Sequence, residues 1–494
     1  MKYSILINTL LFITIVIFSI DNLLAQKKIN VIESNKLEKV IMNDTTFQKF
    51  SGHVIIKYAD LTIICDTILV DEYQDIMTGW GNTQIFNDTL HCTSDSINVI
   101  KNKNVIHFHD NTYIKTNNLN IISDQVEYNF GIKKIQYYSG GKVTKNNSTI
   151  TSTLFTHDLH TNTSNFIELV SVQNHDYEIR SNHITYTSNL INFTGPTIIK
   201  NHKFTINGVD GYLKNEHYLS FNNGVIVQFE DKTIESEYLQ RNIKNNTSHF
   251  QNNIYIKIDK QTCIYGEDMT HVEEIFTITE NCKIKLIDKK DTILITGQSI
   301  QINDHVKKVK INENVTITGN GLNGKCEIMS FESNYNHINM KKNPVLWFEK
   351  VQLTGETIML YRLQNILDSI YIPTNPFIIS PKDSIEYYDQ ITGRKLEGKF
   401  EKNNLKQVIV DGNSEMKYFE YDDDEPNNIS MNNVKSSSIT LMFENKKIHK
   451  VLFAQDVASY YKDILINMPY QEDVLYLQGF KLEKKHSKHS HFTD

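Results

Sequence analysis

Asp66, Asp95 and Asp124 stand 29 residues apart, and Glu267, Glu327 and Glu356 keep nearly the same rhythm further along the chain. Carboxylates are the first side chains to test for catalysis. A paired-carboxylate site needs two such groups within several ångströms of each other. One acid per repeat, spread over the whole length, reads instead as a ladder of structural corner residues. Two histidine pairs raise the question of a metal: His107 and His109 in "VIHFHD", and His157 and His160 in "THDLH". Each pair lacks a third ligand nearby, so neither reaches the usual ligand count. His486, His489 and His491 lie among lysines in the tail and read as a disordered end with adventitious metal affinity. The five cysteines, Cys65, Cys92, Cys263, Cys282 and Cys326, show no CxxC spacing and read as small apolar strand residues. The acidic run at 420–428 reads as a solvated hairpin loop, because a calcium loop needs more alternation and a Gly at its turn. No GxSxG, HExxH, phosphate-loop or dinucleotide fingerprint is present. These residues point to no enzyme, no cofactor and no metal.

The elements that carry these residues are strands. The chain has 494 residues, 39% hydrophobic and 10% aromatic, with many Ile, Asn, Tyr and Phe and few helix-type runs. A net charge of −7 argues against nucleic acid as a partner, since phosphate binding requires a basic face. The N-terminus carries a Lys, an apolar run from Ile5 to Ile20, and Ala25-Gln26. This pattern predicts a secretory signal cleaved after Ala25, and hence an exported mature chain.

A short pattern recurs along the chain. It centres on a small residue (s) followed by a polar one, at Asp66, Asp95, Asp124, Thr153, Asn182, Val209, Glu237, Glu267, Gln298, Glu327 and Glu356, at steps of 27 to 31 residues. Such spacing marks a repeat architecture. Apolar residues fall at s−4 and s−2, then at s+3 and s+5. Around Cys65 these are Leu61, Ile63, Ile68 and Val70. Strand side chains alternate between faces, so this switch of parity requires a bulge or corner at s if one apolar face is to continue through it. The small residue admits the bend. The polar residue after it can bond backbone groups freed there. A second punctuation rich in Gly and Asn, as in "GWGN" at 79–82 and "NNG" at 222–224, divides each unit into about three short strands. Whether the units wind as a parallel helix or zigzag antiparallel stays open at this level.

The stretches "GHVIIKYADLTIICDTILV" and "GNTQIFNDTLHCTSDSI", with the recurring small-acid-hydroxyl-apolar unit, resemble OstA-like proteins. These are relatives of LptA and of the periplasmic part of LptD. "NPVLWFEKVQLTGETI", "NPFIIS", "QITGRKLEGKF", "VIVDGNSEMKYF" and "SSSITLMFENKKIHKVLF" extend the resemblance, to the many-repeat variant of Bacteroidetes, over roughly residues 45–480. The resemblance implies an all-β, elongated repeat β-jellyroll, a folded open sheet with about eleven units. It implies lipopolysaccharide or lipid A as ligand, carried or assembled in the periplasm toward the outer membrane. The implied partners are other Lpt-type jellyroll proteins, by end-to-end strand addition, and an outer-membrane LptD-like barrel.

The groove demanded by that reading would be lined by s−2 and s+3 residues: Ile63, Ile68, Cys92, Ile97, Ile121, Val126, Ile150, Phe155, Ile179, Ile184, Ile295, Ile300, Leu353 and Ile358. The same residues would equally fill a sealed core. The competing reading is an exported β-solenoid with a structural or polysaccharide-binding role in the envelope. The expected organisation is a signal at 1–25, a polar lead at 26–45, jellyroll repeats at 46–360, a β-rich C-terminal region or cap at 361–480, and a disordered basic, His-containing tail at 481–494.

Overall fold

The computed structural model describes residues 29–484, apart from 43–44, 72, 146, 288–291, 320–321, 333–335, 364–365, 382–386, 402–403, 422–427, 445–446 and 466–469. The signal segment, the centre of the acidic run and the histidines of the tail lie outside the described residues. The chain divides into two compact units, residues 1–216 and 217–494. Both are all-β, and each hairpin pairs antiparallel with the next. The zigzag alternative is therefore the one adopted.

Strand Leu61–Asp71 shows how the sequence produces this. Leu61, Ile63 and Cys65 are buried, then Ile68 and Val70, with Asp66 exposed at the slip. The neighbouring strands Thr45–Tyr58 and Ile76–Phe86 oppose Asp66 with two residues each, Gly52-His53 and Gly81-Asn82. All four of these residues have positive φ. Each pair is a bulge that bends the strand, and the left-handed conformation explains the Gly and Asn. The device repeats at Asp110-Asn111, Glu168-Leu169, Asn252-Asn253, Glu313-Asn314 and Lys342-Asn343. The Gly/Asn punctuation is thus a bend inside a strand and not a turn. A repeat is two bent strands of about eleven residues, not three short ones.

Within each unit the long strands therefore have two arms, shorter strands supply single arms, and the arms form two half-sheets joined along the line of corners. The small residue points inward at that fold line. At Gly297 an added Cβ would lie 2.4 Å from Ile311 Cγ2, and at Gly355 it would lie 2.3 Å from Ile372 Cγ2. Those distances forbid a side chain at either position unless the facing isoleucine moves.

In the first unit the corners begin at Asn35, whose N–H donates to the Gly52 carbonyl. Residues 30–33 and 36–42, read from sequence as a polar lead, form strands on Thr45–Tyr58. One corner lies a residue later than the sequence alignment places it: Asp210, not Val209, opposes the bulge and accepts from Gly195 N–H at 2.8 Å. In the second unit the corners continue past Glu356 to Arg394 and Ser437. The regular spacing fades there because the arms lengthen, as in strands Asn404–Tyr421 and Asn428–Glu444.

The second unit also carries a strap. Residues 470–484 lie on the outer surface of one half-sheet. Gln390 donates to the Leu475 carbonyl and accepts from Leu477 N–H. Gln352 repeats this with Lys481 and Glu483. Both glutamines are buried, and each satisfies its amide as a ladder partner would. Lys417 Nζ donates to the carbonyls of Asp473 and Val474, and Leu477 and Phe480 pack on Phe377 and Ile379. Residues 481–484, placed with the tail in the sequence reading, belong to this strap.

Candidate functional site

The interior between the half-sheets is the feature with functional potential. One wall of the first unit is a row of cross-strand partners running Ile56, Ile63, Ile85, Cys92, Ile114, Ile121, Val143, Ile150, Val172, Ile179, Ile199 and Ile206. The facing wall runs Phe50, Ile68, Gly79, Ile97, Phe108, Val126, Tyr137, Phe155, Phe166, Ile184 and Phe193. One wall is aliphatic and the other is rich in aromatics. The second unit has the same two rows but not the aromatic enrichment, its facing row being mainly Ile and Met. Ile234, Ile256, Ile264, Ile284, Ile295 and Ile317 face Leu239, Phe250, Met269, Ile278, Ile300, Ile311, Met329, Met340 and Ile358.

All fourteen residues expected to line a groove are buried: Ile63, Ile68, Cys92, Ile97, Ile121, Val126, Ile150, Phe155, Ile179, Ile184, Ile295, Ile300 and Ile358 in these rows, and Leu353 where the second unit's aliphatic row continues from Ile317 through Gly324 and Leu346. The sequence reading followed one strand of each hairpin. It missed the residues of the other strand, such as Phe108, Phe166 and Phe250. The signal was present: an apolar residue two or three places from each left-handed pair.

The corner acids lie outside. Asp66 accepts from Asn82 Nδ2 at 2.9 Å, Asp95 from Asn111 Nδ2 at 2.8 Å and Glu356 from Asn375 Nδ2 at 2.8 Å. Glu267 accepts from the backbone N–H of Asn253 at 3.1 Å. Asp124 and Glu327 occupy the same corner position, exposed. Asp66, Asp95 and Asp124 lie two strands apart in turn, roughly 10 Å at ordinary strand spacing, with a bulge between each two. They do not converge on any reaction centre.

The histidines do not converge either. His107 and His109 stack at 6.5 Å on the outer surface. His157 is buried, with Nδ1 2.9 Å from Ser164 Oγ, whereas His160 sits in the following turn. Among the described residues no group of three potential ligands comes together.

The arm tips, opposite the corners, form a seam. In the first unit Lys133 Nζ binds the Asp60 carboxylate across it. Behind this clasp Tyr58 meets Phe130 edge-on at 5.8 Å, and both are buried. In the second unit Lys232, only 7% exposed, binds Asp231 and Asp304 at 2.7 Å each, and Lys307 binds Asp231 at 3.2 Å. Phe229 packs on Phe276 beneath them. The clasped residues are 73 apart in sequence in the first unit and 72 and 76 apart in the second, so both seams carry the same stagger of the arms.

All five cysteines are free and buried. Burial pushes the thiols of Cys65 and Cys326 up to about 12 and that of Cys282 up to about 11, and it raises Cys92 as well. The thiolate is the reactive form. Iodoacetamide at mildly alkaline pH is therefore expected to leave the folded chain unmodified and to alkylate all five cysteines in strong guanidinium, as read by intact mass. Rapid alkylation of Cys65 or Cys92 under native conditions would show that the walls open to water.

Residues 26–182 match the family described as OstA-like protein. No curated protein matches the chain. A solved structure that resembles it is LptH, the LptA homologous periplasmic component of the lipopolysaccharide transport device from Pseudomonas aeruginosa. Identity is 13%, the match covers 22% of this chain and 82% of that one, and the TM-score is 0.21.

Proposed function

We propose that this chain, OstA-like over residues 26–182, holds the acyl chains of lipopolysaccharide between its two walls and hands them on toward the outer membrane. The observation that carries this reading is the pair of unbroken apolar rows, which give a sliding chain equivalent contacts at every rung. Each methylene removed from water contributes about 0.8 kcal/mol wherever it lies along such a row. Binding is then spread along the interior without a deep well, as a conduit requires. Lipid A binding and a periplasmic location belong to this proposal, as does a carrier role without catalysis.

Partners would join at the edges. Among the described residues strand Lys36–Met42 pairs on one side only, with Leu37 and Ile41 exposed, and strand Lys447–Ala454 is its counterpart in the second unit. Open edges of this kind accept added strands. Jellyroll domains of the same type, or an outer-membrane barrel carrying one, fit them.

The test is in-cell photo-crosslinking from Ile121 and, as control, from Ile122. Ile121 is 0% exposed on the aliphatic wall, and Ile122 is 49% exposed on the outside. Lipopolysaccharide adducts at 121 and not at 122 are expected. Absence of adducts at 121, and at Ile63, Ile179 and Ile295, would mean a sealed core and an envelope scaffold.

A further inference from the structure

The first unit has a cavity at its seam. Lys145, Tyr177, Tyr186 and Glu216 form its rim, and Val172 and Ile184 form its floor. The floor residues are informative, because Val172 belongs to the aliphatic wall and Ile184 to the aromatic one. The cavity therefore reaches both walls from outside.

The rim also stands where a clasp would be. Lys145 and Glu216 lie on opposite arm tips, at nearly the sequence separation of Asp60 and Lys133. Among the described residues no ion pair closes the seam at this rung. Lys145 Nζ lies 3.7 Å from the centroid of the Tyr186 ring instead. Glu216 is exposed on the solvent side. The rung thus has the parts of the clasp in an unlatched arrangement.

We propose that this rim is a lateral gate through which an acyl chain bearing a phosphate headgroup passes into the first unit. The proposal rests on the lipid-carrier reading above. The acyl chain enters between Val172 and Ile184, and the phosphate exchanges the Tyr186 ring for itself on Lys145. The charge argument is local. Lys145 is partly buried, which disfavours its charged form, so an anion at the rim restores what burial removes. Glu216, facing water, can turn away, and His157 beneath is held neutral. A neutral lipid would gain the apolar contacts only.

The test uses the purified full chain and two fluorescent single-chain probes, a lysophosphatidic acid and the matching monoacylglycerol, mixed by stopped flow. Lys145→Glu is expected to slow uptake of the phosphate probe about tenfold and to leave the neutral probe within twofold. Ser148→Trp, which fills the rim, is expected to slow both. Binding with both rates unchanged in both variants would overturn the gate while leaving the carrier reading intact. Equal slowing of both probes by Lys145→Glu would overturn the phosphate preference. No binding of either probe to the wild-type chain would overturn the carrier reading itself, and the gate with it.

Discussion

Ile121→Asp is expected to unfold the first unit at urea concentrations where Ile122→Asp leaves it folded. The two residues are chain neighbours with opposite fates. Ile121 pairs with Ile114 on one side and Val143 on the other, all fully buried, whereas Ile122 points outward. A carboxylate at 121 would be surrounded by branched aliphatic groups. Burying an unpaired charge costs several kcal/mol even after relaxation, and the lost isoleucine contacts add about 2 kcal/mol. Domain stabilities are only about 5–15 kcal/mol, so a loss of more than about 4 kcal/mol consumes much of the total. At 122 the cost should stay within about 1 kcal/mol, since an exposed strand position loses little beyond β propensity. Hydrogen exchange along residues 105–152 would show where opening starts. Equal destabilisation by the two variants would refute the assignment of faces.

That assignment was legible because it depends on local alternation. The parity slip, the small inward residue and the outward polar corner all lie within ten residues, and strand geometry permits one arrangement of them. The Gly and Asn punctuation was visible but misread. Left-handed residues serve turns and bulges alike, and only pairing partners separate the two. Asp210 was missed because its repeat is shortened, so "NGVDG" offers two small-polar registers and the pairing with Gly195 selects the second. At the corners the partner of an acid is an asparagine side chain on the next strand, as for Asp66 and Asp95, or a freed backbone N–H, as for Glu267.

What could not be read was long-range. Asp60 and Lys133 meet only because the half-sheets are staggered, a property of the assembled sheet and not of any segment. Gln352 and Gln390 occupy outward strand positions that ordinarily face water. Nothing near them announces that the chain returns 129 and 85 residues later to cover them. The strap explains why the half-sheet beneath it is apolar on both surfaces, with Trp347, Phe377 and Ile379 buried on the outer one. Local periodicity gives no reason for apolar residues on both parities, and that doubling was the available signal.

Acid should loosen each unit through one buried histidine. His157 in the first unit and His271 in the second are both held down to about 4 from a normal value near 6.5. Burial is the main cause for each. For His157 the nearby Lys145 adds to it, against opposing contributions from Asp158 and the Thr163 backbone. For His271, Arg241 and Lys232 push the same way, while Asp304 and the Glu273 backbone oppose. A depressed histidine prefers to be neutral when folded. The unfolded chain therefore takes up the proton first as pH falls through about 6.5, and stability declines until the folded-state value near 4 is reached. Stability contributed by the neutral ring is fully present above 6.5 and is lost across that window. At 1.36 kcal/mol per pKa unit the loss is on the order of 3 kcal/mol per unit of the fold. His157→Phe keeps a ring against Phe155, which stacks on it at 6.4 Å, and removes the titrating group. Urea melts between pH 7 and 4, followed by hydrogen exchange in each unit, should show the acid limb flattened in the first unit alone. If the limb keeps its slope in that variant, carboxylates and not His157 set the acid stability of the first unit.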